Sequence, residues 1–337
     1  MRKTLMSLAL LGAFIAPSAM ASAVAAQDIK PAVVFDMGGK FDKSFNEGIF
    51  NGVERFRQET GIAYREFEVT AEAQREQALR NFARRGFDPV IAVGFAQGPA
   101  LEKVAAEFPD TRFSIIDMVV DLPNVQSIVF KEHEGSFLVG VLAAMASDTG
   151  RVGFVGGMDI GLIRRFACGY EQGVKYINPN AEVFQNMTGT TPAAWNDPVK
   201  GGELAKSQFD RGADVVYAAA GGTGLGVLQA AADSGKLSIG VDSNQNHLHP
   251  GSVLTSMLKR VDVAAFNVYA SANDGTWQPG IQVLGLAEDG VGWALDENNE
   301  ALITAEMRAR VDQVSADIIA GRITVHNYTS NNECTIG

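Results

Sequence analysis

A carboxylate, an aromatic ring and an amide occur within eleven residues near the start of the sequence, in the segment DMGGKFDKSFNEG. Asp36 can accept hydrogen bonds, Phe45 can stack on a planar ring, and Asn46 can both donate and accept. Such a set suits the binding of a small polar ring system. A structural interpretation competes, because Ser44 followed three residues later by Glu47 is a capping box, which explains this serine as a helix cap.

Polar residues and glycines also follow the other apolar, strand-like runs. Since ligands of open parallel sheets bind beyond the carboxyl ends of the strands, we expect these residues to meet in one cleft. Three predicted strands end in a carboxylate, and three end in or run into glycines, which let backbone N–H groups approach a ligand. The pattern predicts a cleft for a polar ligand, with candidates at Asp36, Phe95, Asp117, Trp195, Gly222 and Asp242.

Motifs of covalent chemistry and of phosphate binding are absent from the sequence. GGTGLG at 221–226 fails the dinucleotide pattern G-x-G-x-x-G, because Val227 stands where the last glycine is required. There is no G-x-x-x-x-G-K-[ST] and no H-E-x-x-H, and no Ser-His-Asp or Cys-His arrangement can be argued from spacing. His247 and His249 indicate a metal only weakly without further ligands. We expect no enzymatic activity, no cofactor and no metal ion.

The elements that must position these residues alternate along the chain as strand, turn and helix. PAVVFDM is a short continuous apolar run, typical of a strand buried on both faces, and FNEGIFNGVERFRQ follows it as a helix. The same order repeats through eight or more strands. It predicts an α/β protein with two doubly wound parallel sheets. A TIM barrel competes, but AEDGVGWALDENN before the last helix interrupts an eightfold count.

The first 26 residues differ in composition from the rest of the chain. A basic start and an apolar run over 5–16 precede small residues, which offer cleavage sites after Ala21 or Ala26. This order predicts a cleaved signal peptide over residues 1–26. Since no cysteine lies near that junction, we expect a secreted periplasmic protein without a lipid anchor.

The 337-residue chain is acidic, with a formal charge of −11 that becomes about −13 without Arg2 and Lys3. An acidic chain disfavours nucleic acid and anionic membrane surfaces as partners. Its two cysteines, Cys168 and Cys334, either form one disulfide that attaches the C-terminal tail to the body or remain two unpaired thiols. No further ligands cluster around them in sequence, which disfavours a zinc site.

Six motifs together resemble the basic membrane protein family, the substrate-binding components of ABC importers typified by the purine nucleoside receptor of spirochaetes. They occur in the family order over nearly the whole chain after residue 26: DMGGKFDKSFNEG, FPDTRFSIID, GRVGFVGGMD, WNDPVKGGELA, DVVYAAAGGTG, and IGVDSNQN with VLTSMLKRVDVA. The resemblance implies a type I periplasmic binding fold, in which three crossover segments join two α/β lobes. We expect residues 28–131 with 250–278 to form the N-terminal lobe and residues 132–249 with 279–330 the C-terminal lobe.

The resemblance also implies which residues bind the ligand's base. Asp36 and Asn46 hydrogen-bond the base, Phe45 stacks on it, and Asp117 belongs to the same region. An aromatic side chain from the other lobe covers the opposite face of the base. The candidates for the remaining aromatic positions are Tyr217 first, Trp195 as its alternate, and Phe95 as a further pocket residue.

The sugar positions of the family match Gly222, Asp242 and Lys259. A carboxylate such as that of Asp242 can accept two O–H bonds from neighbouring hydroxyls, while Lys259 donates to the sugar and neutralises the carboxylate. The sequence departs from the family at Asn244, where an acidic residue is usual, and in the missing lipid-attachment cysteine.

The expected function is that of a monomeric substrate-binding protein, which encloses a nucleoside, a purine nucleoside above all, by hinge closure. The resemblance implies that it delivers this ligand to an ABC permease in the inner membrane. One alternative keeps the fold and binds a free purine base, a sugar or another small ligand. Another is an exported nucleoside hydrolase with Asp36, Asp42 and Asp117 around a calcium ion. A DNA-binding regulator is disfavoured by the predicted signal peptide and by the charge.

Overall fold

The computed structural model describes residues 28–336, so the predicted signal peptide lies outside the described residues. The described chain forms two α/β lobes, each with a six-stranded sheet. The elements in chain order are β1 Ala32–Phe35, α1 Phe45–Thr60, β2 Arg65–Glu68, α2 Gln74–Arg84, β3 Val90–Val93, α3 Gly98–Glu107, β4 Phe113–Ile116, β5 Val125–Phe130, α4 Glu132–Ala146, β6 Arg151–Met158, α5 Gly161–Ile177, β7 Glu182–Gly189, α6 Pro198–Asp210, β8 Val215–Ala219, α7 Gly224–Asp233, β9 Leu237–Asp242, β10 Val253–Lys259, α8 Val261–Asn273, β11 Gly280–Leu284, β12 Val291–Trp293 and α9 Ala305–Ile319.

Both sheets are built mainly from parallel strands. The first sheet has the order β11-β5-β4-β3-β1-β2, and all its neighbours pair in parallel. The second has the order β12-β10-β9-β8-β6-β7, with only the short edge strand β12 antiparallel. Strands β1, β3 and β4 are buried throughout because helices cover both faces, which explains their continuous apolar runs. The prediction of two doubly wound α/β lobes is confirmed.

The chain crosses between the lobes three times: between β5 and α4, between β10 and α8, and between β11 and β12. The second and third crossings differ from the predicted boundaries. Strand β10 was expected in the N-terminal lobe but pairs with β9 of the second sheet, and β11 was expected in the C-terminal lobe but pairs with β5 of the first. Strand β10 is buried and β11 is mostly exposed, so the composition of a strand does not identify the sheet that it joins.

Helix α5 is held close against α4 by glycine. A Cβ atom on Gly140 of α4 would overlap the backbone at Tyr170, and one on Gly173 of α5 would overlap the backbone at Phe137. The two helix backbones therefore approach each other more closely than larger residues would allow. This contact fixes the position of the first turns of α5, which face the other lobe.

The C-terminal tail is attached to α5 by a disulfide between Cys168 and Cys334, whose Cα atoms are 5.5 Å apart. Of the two alternatives for the cysteines, the structure therefore has the bonded one. Arg165 also donates to the Thr329 hydroxyl of the tail at 3.0 Å. Among residues 28–336, no helix is both long and apolar enough to cross a membrane.

Candidate ligand-binding site

A cavity of about 80 Å³ lies between the lobes where the carboxyl ends of the two sheets face each other. This volume is below the roughly 300–1,000 Å³ of most small-molecule sites. Both lobes supply side chains to its wall. Eight of the predicted ligand-binding residues line it: Asp36, Phe45, Asn46, Phe95, Asp117, Trp195, Asp242 and Lys259.

Asp42 fixes the turn that presents Phe45 and Asn46 to the cavity. Its carboxylate accepts the backbone N–H groups of Ser44 at 2.9 Å and of Asn46 and Glu47 at 3.1 Å. Asp42 is thus the cap of α1. Burial raises the pKa of this carboxyl to about 6, although the three N–H groups oppose the rise.

The predicted capping role of Ser44 is therefore wrong. The Asp42 carboxylate already accepts the N–H groups at the start of α1, so the serine side chain is free to point across the cleft. There Ser44 Oγ donates to Asp242 Oδ2 of the other lobe at 2.6 Å. Ser243 Oγ donates in turn to the Ser44 carbonyl at 2.8 Å. Ser44 is therefore a contact between the lobes, beside a cavity carboxylate.

Aromatic side chains from both lobes line the cavity. Phe45 and Phe95 belong to the first lobe, and Phe166 and Trp195 belong to the second. Phe95 and Trp195 meet edge to face across the cleft, with ring centroids 6.5 Å apart. A Cβ atom on Gly157 would overlap the Trp195 ring, so glycine at this position makes room for the indole.

Two predicted residues lie elsewhere. Tyr217 is fully buried in the core of the second lobe, where its ring packs on Phe154 and Tyr170 with centroids 5.4 and 5.3 Å away. It stands two residues before the end of β8, deeper than Ala219, which lines the cavity. Gly222 is buried one residue beyond Gly221, which lines the cavity in its place. The depth of Tyr217 within β8 explains the first difference, whereas Gly222 lies beyond the strand, in the short 3-10 helix Gly221–Thr223.

Lys259 is the centre of a buried group of charges at the base of the cleft. Its Nζ lies 2.6 Å from Asp117 Oδ2 and 3.1 Å from Glu132 Oε1. Arg165 Nη1 lies 2.8 Å from Glu132 Oε2. Among the described residues, Lys259 thus forms direct ion pairs with Asp117 and Glu132, and not with Asp242 as expected. Nζ also lies 5.2 Å from the centroid of the Phe45 ring.

Glu132 and Arg165 were missed in the sequence. Glu132 lies two positions after Phe130, the last residue of the buried strand VQSIVF. Its position just beyond a strand end could therefore have marked it as a candidate site residue. Arg165 lies on the exposed-looking helix sequence RRFACGY, and only the fold brings it to Glu132. Together they extend the charged group from the cavity to the first crossing between the lobes.

Burial and the neighbouring charges shift the pKa values of Asp117, Asp242, Glu132 and Lys259. Burial raises the pKa of Asp117 and of Asp242 to about 6, against the attraction of the Lys259 ammonium. Burial acts in the same direction on Glu132, but Lys259 and Arg165 outweigh it and lower that pKa. Burial disfavours the Lys259 cation, yet the three carboxylates outweigh burial and raise its pKa. The ammonium is therefore charged at neutral pH.

Unpaired acceptors remain in this wall. Asp117 Oδ1 and Asn46 Oδ1 are buried and have no hydrogen-bond partner among residues 28–336. A buried polar atom without a partner costs free energy until something donates to it. Asp117 and Asp242 also have positive φ angles of 73° and 62°, which are uncommon outside glycine and place both carboxylates at sharp strand ends. The cavity is thus suited to a ligand rich in N–H and O–H donors.

The three aspartates of the hydrolase alternative are used in separate ways. Asp36 accepts from Arg75, Asp42 caps α1, and Asp117 pairs with Lys259. Within the part of the chain that the structure describes, no group of three or more His, Cys, Asp or Glu side chains is arranged to hold a metal ion. The arrangement of these aspartates therefore gives the calcium-dependent alternative no support.

Two comparisons with known proteins agree with this architecture. The chain is 31% identical over 321 residues to the ABC transporter nucleoside-binding protein BmpA of Lactococcus lactis, covering 88% of this chain and 89% of the relative. A crystal structure of an ABC transporter solute-binding protein from Aeropyrum pernix superposes with a TM-score of 0.83 at 29% identity. That superposition covers 90% of this chain and 95% of the other.

A third comparison corrects the predicted localisation. The chain is 35% identical over 283 residues to an uncharacterized lipoprotein of Pyrococcus horikoshii, covering 80% of this chain and 70% of the relative. Relatives from two further Pyrococcus species carry the same description. The prediction of a periplasmic protein without a lipid anchor is therefore wrong. It depended on the lack of a cysteine beside a cleavage site that lies outside the described residues.

The sequence profile of one family matches nearly all of the described chain. The family is described as ABC transporter substrate-binding protein PnrA-like, and the match covers residues 29–328. The resemblance that six motifs indicated is confirmed by this match. Proteins of this kind bind a solute for an importer and do not convert it. The chain belongs to the family of PnrA-like ABC transporter substrate-binding proteins.

Proposed function

We propose that the protein binds a purine nucleoside between its lobes and delivers it to the permease of an ABC importer. The observation that carries the proposal is the combination, in one cavity, of aromatic walls from both lobes with buried carboxylates. In this proposal Phe45 and Trp195 stack on the base, and Asp36 and Asn46 hydrogen-bond its edge. The Lactococcus relative named as a nucleoside-binding protein supports the same ligand class.

The base of the cleft would bind the sugar. Asp242 already accepts one O–H bond from Ser44 at 2.6 Å, which supports a role for its carboxylate as an acceptor of sugar hydroxyls. Asp117 Oδ1 is an unpaired acceptor next to the Lys259 ammonium. A carboxylate can accept from two neighbouring hydroxyls, and an ammonium can donate to a third oxygen. Free sugars use only this half of the cavity and would leave the aromatic walls unfilled.

The known strengths of these contacts suffice for tight binding. A stacked base contributes ~1–3 kcal/mol, and a hydrogen bond to a charged group contributes ~1.5–3 kcal/mol. One or two stacks with several such bonds, less the costs of association and closure, reach about −8 kcal/mol, which is micromolar affinity. No covalent step is needed for this function.

Closure of the two lobes is the mechanism that we propose. The lobes already touch through Ser44 and Asp242 and through Gln245 Nε2, which donates to the Lys43 carbonyl at 3.0 Å. A nucleoside would add contacts to both lobes at once. It would therefore favour the closed state by its differential affinity, and the permease would recognise that state.

A thermal-shift panel with the purified protein tests the proposal. The panel contains adenosine, guanosine, inosine, uridine, cytidine, the free bases and ribose, and chromatography then checks whether each ligand is recovered intact. We expect a large rise in melting temperature with purine nucleosides alone. A rise with ribose or free bases but not with nucleosides would contradict the proposal, and release of free base would indicate a hydrolase.

A further inference from the structure

Asp36 is held from behind the cavity wall by a buried arginine. Arg75, in the first turn of α2, is 8% exposed, and its Nε donates to Asp36 Oδ1 at 2.9 Å. Arg75 Nη2 is also buried, and it has no acceptor within residues 28–336. The pair is thus joined by one N–H···O contact rather than by the two parallel contacts usual for arginine and carboxylate. One carboxylate oxygen is fixed, and the other is left to the cavity.

The second oxygen, Oδ2, lies beside the ring proposed to stack on the base. A Cβ atom built on Gly94 would be 3.5 Å from Asp36 Oδ2 and 3.8 Å from Phe45 Cε1, so both atoms flank the same point of the wall. Next to Phe45, the Asn46 amide donates its Nδ2 to the Gly39 carbonyl at 3.2 Å. That bond leaves Asn46 Oδ1 as a buried acceptor without a partner among the described residues. Two acceptors therefore face a base stacked on Phe45.

We propose that Arg75 is a positioning residue that keeps Asp36 an oriented acceptor, and that it thereby selects guanine-type bases over adenine. The inference rests on the proposed nucleoside function and deepens it. Guanine carries adjacent N1–H and 2-amino donors, which match the two acceptors Asp36 Oδ2 and Asn46 Oδ1. Adenine carries an unprotonated N1 with a lone pair, which an ionised carboxylate repels.

The charges around Asp36 give Arg75 this role. Burial raises the pKa of the Asp36 carboxyl, Arg75 opposes the rise, and Glu72, just before α2, adds to it. Without Arg75 the carboxyl would therefore take up a proton more readily. A protonated carboxyl has an O–H donor, which suits adenine N1 and no longer matches two N–H donors. Loss of Arg75 should therefore weaken the preference for guanine over adenine more than it weakens nucleoside binding in general.

Titration calorimetry with guanosine, inosine and adenosine tests the inference on four proteins: wild type, Arg75→Met, Arg75→Lys and Arg80→Met. Arg80 lies on the same helix, where its ion pairs with Glu76 and Glu107 are partly exposed, and serves as the matched control. We expect wild type to bind guanosine roughly tenfold more tightly than adenosine. Arg75→Met should lose roughly tenfold for guanosine and less than about threefold for adenosine. Arg75→Lys should retain part of the preference, and Arg80→Met all of it.

Measurement of guanosine affinity at several pH values distinguishes a positioning role of Arg75 from a merely structural one. In Arg75→Met the affinity for guanosine should rise with increasing pH, as Asp36 loses its proton, and the wild-type affinity should change less. If Arg75→Met does not fold, the double variant Asp36→Asn/Arg75→Met removes both charges of the pair. It should bind adenosine at least as tightly as guanosine.

Four results would overturn the inference. Equal losses for guanosine and adenosine in Arg75→Met would leave Arg75 a structural role alone. A wild-type protein that binds adenosine as tightly as guanosine would contradict the proposed preference for guanine, and so would a double variant that still prefers guanosine. A wild-type protein that binds no nucleoside would overturn the proposed function and this inference together, whereas the first three results leave the proposed function intact.

Discussion

The two lobes build their halves of the cavity in different ways. The first lobe supplies most of its half from one short segment, 36–46, whose turn is fixed by N–H bonds to the Asp42 carboxylate. The second lobe assembles its half from five separate segments. These contribute Leu162 to Phe166 on α5, Trp195, residues 219–221, residues 241–242 and Lys259.

The difference lies in what fixes each half. Backbone N–H bonds to Asp42 hold the 36–46 turn of the first half. The second half is held by the packing of α5 and by Lys259, which pairs with Glu132 of its own lobe and with Asp117 of the first. Substitutions in the first half should therefore affect ligand affinity with little effect on folding. Substitutions in the second half should affect folding as well, because they remove contacts that join distant parts of the chain.

The largest effect is expected for Lys259→Met. This change leaves Asp117, Glu132 and Asp242 as buried carboxylates around an uncharged side chain, which should lower the free energy of unfolding by about 3–5 kcal/mol. Chemical denaturation measures the loss. The matched control is Lys43→Met, whose pair with Glu47 is half exposed and should contribute about 0–1 kcal/mol. Equal losses in the two variants would contradict the proposed difference between the halves.

Phe45→Ala should have its main effect on binding. Removal of the stacked ring should weaken nucleoside affinity roughly tenfold or more, since base stacking is worth ~1–3 kcal/mol. Calorimetry measures the affinity, and thermal unfolding checks the fold. Phe41→Ala, an exposed aromatic in the same segment, should retain wild-type affinity. If Phe45→Ala binds as tightly as wild type, Phe45 is not part of the ligand site.

Asp242 should make stability depend on pH in a defined direction. Burial raises its pKa in the folded state from an ordinary value of 3.8 to about 6, so the folded protein binds the proton more tightly than the unfolded chain. The contribution of this group to stability should therefore fall by about 2 kcal/mol as pH rises from about 4 to about 6. Above that range it should be constant.

Denaturation of wild type and Asp242→Asn across this pH range isolates the effect. The asparagine keeps the acceptor for Ser44 but does not titrate, so the stability difference between the two proteins should change in its favour as pH rises. A difference that is flat between pH 4 and pH 6 would show that Asp242 titrates at its ordinary value.

The smallest effect is expected for Ser44→Ala. Because Asp42 caps α1, removal of the serine hydroxyl should change the free energy of unfolding by less than about 1 kcal/mol. Loss of the bond to Asp242 should weaken ligand affinity by roughly threefold to tenfold, since it removes a contact of the closed state. Asp42→Ala should lose about 1–2 kcal/mol of stability from the lost cap, and it should also lose ligand affinity because Asp42 fixes the turn that carries Phe45 and Asn46. Equal losses of stability in Ser44→Ala and Asp42→Ala would indicate that the Ser44 side chain also caps α1.

The sequence supported the first half of the site better than the second. Asp36, Phe45 and Asn46 reach the same cavity because a strand end and a helix start adjoin in sequence. Tyr217 also stands near a strand end, but its depth of two residues places it in the core, and no periodicity in DVVYAAA reveals that depth. The sequence did not identify Arg75 as a residue near the site, because an arginine in a polar helix is usually exposed and only the fold shows that this one is buried.

The same reasoning applies to the fold. Alternating strands and helices favour parallel sheets, because the long crossover between parallel strands is usually a helix. This alternation does not predict which of the two sheets a strand near the end of the chain joins. Strands β10 and β11 each join the opposite sheet from the one predicted. That choice depends on long-range edge pairing, which residue types within one strand do not encode.

The bond between Cys168 and Cys334 closes a covalent ring of the chain, since the two cysteines are 166 positions apart in sequence. The ring contains most of the second lobe and also α8 and β11 of the first. A ring of this size should lower the conformational entropy of the unfolded chain by an amount equivalent to about 5 kcal/mol at room temperature. Two of the three connections between the lobes, those after β10 and after β11, lie inside this ring, whereas the first, between β5 and α4, lies outside it. The disulfide therefore restrains in the unfolded chain the two connections that the C-terminal half of the sequence contributes to the hinge.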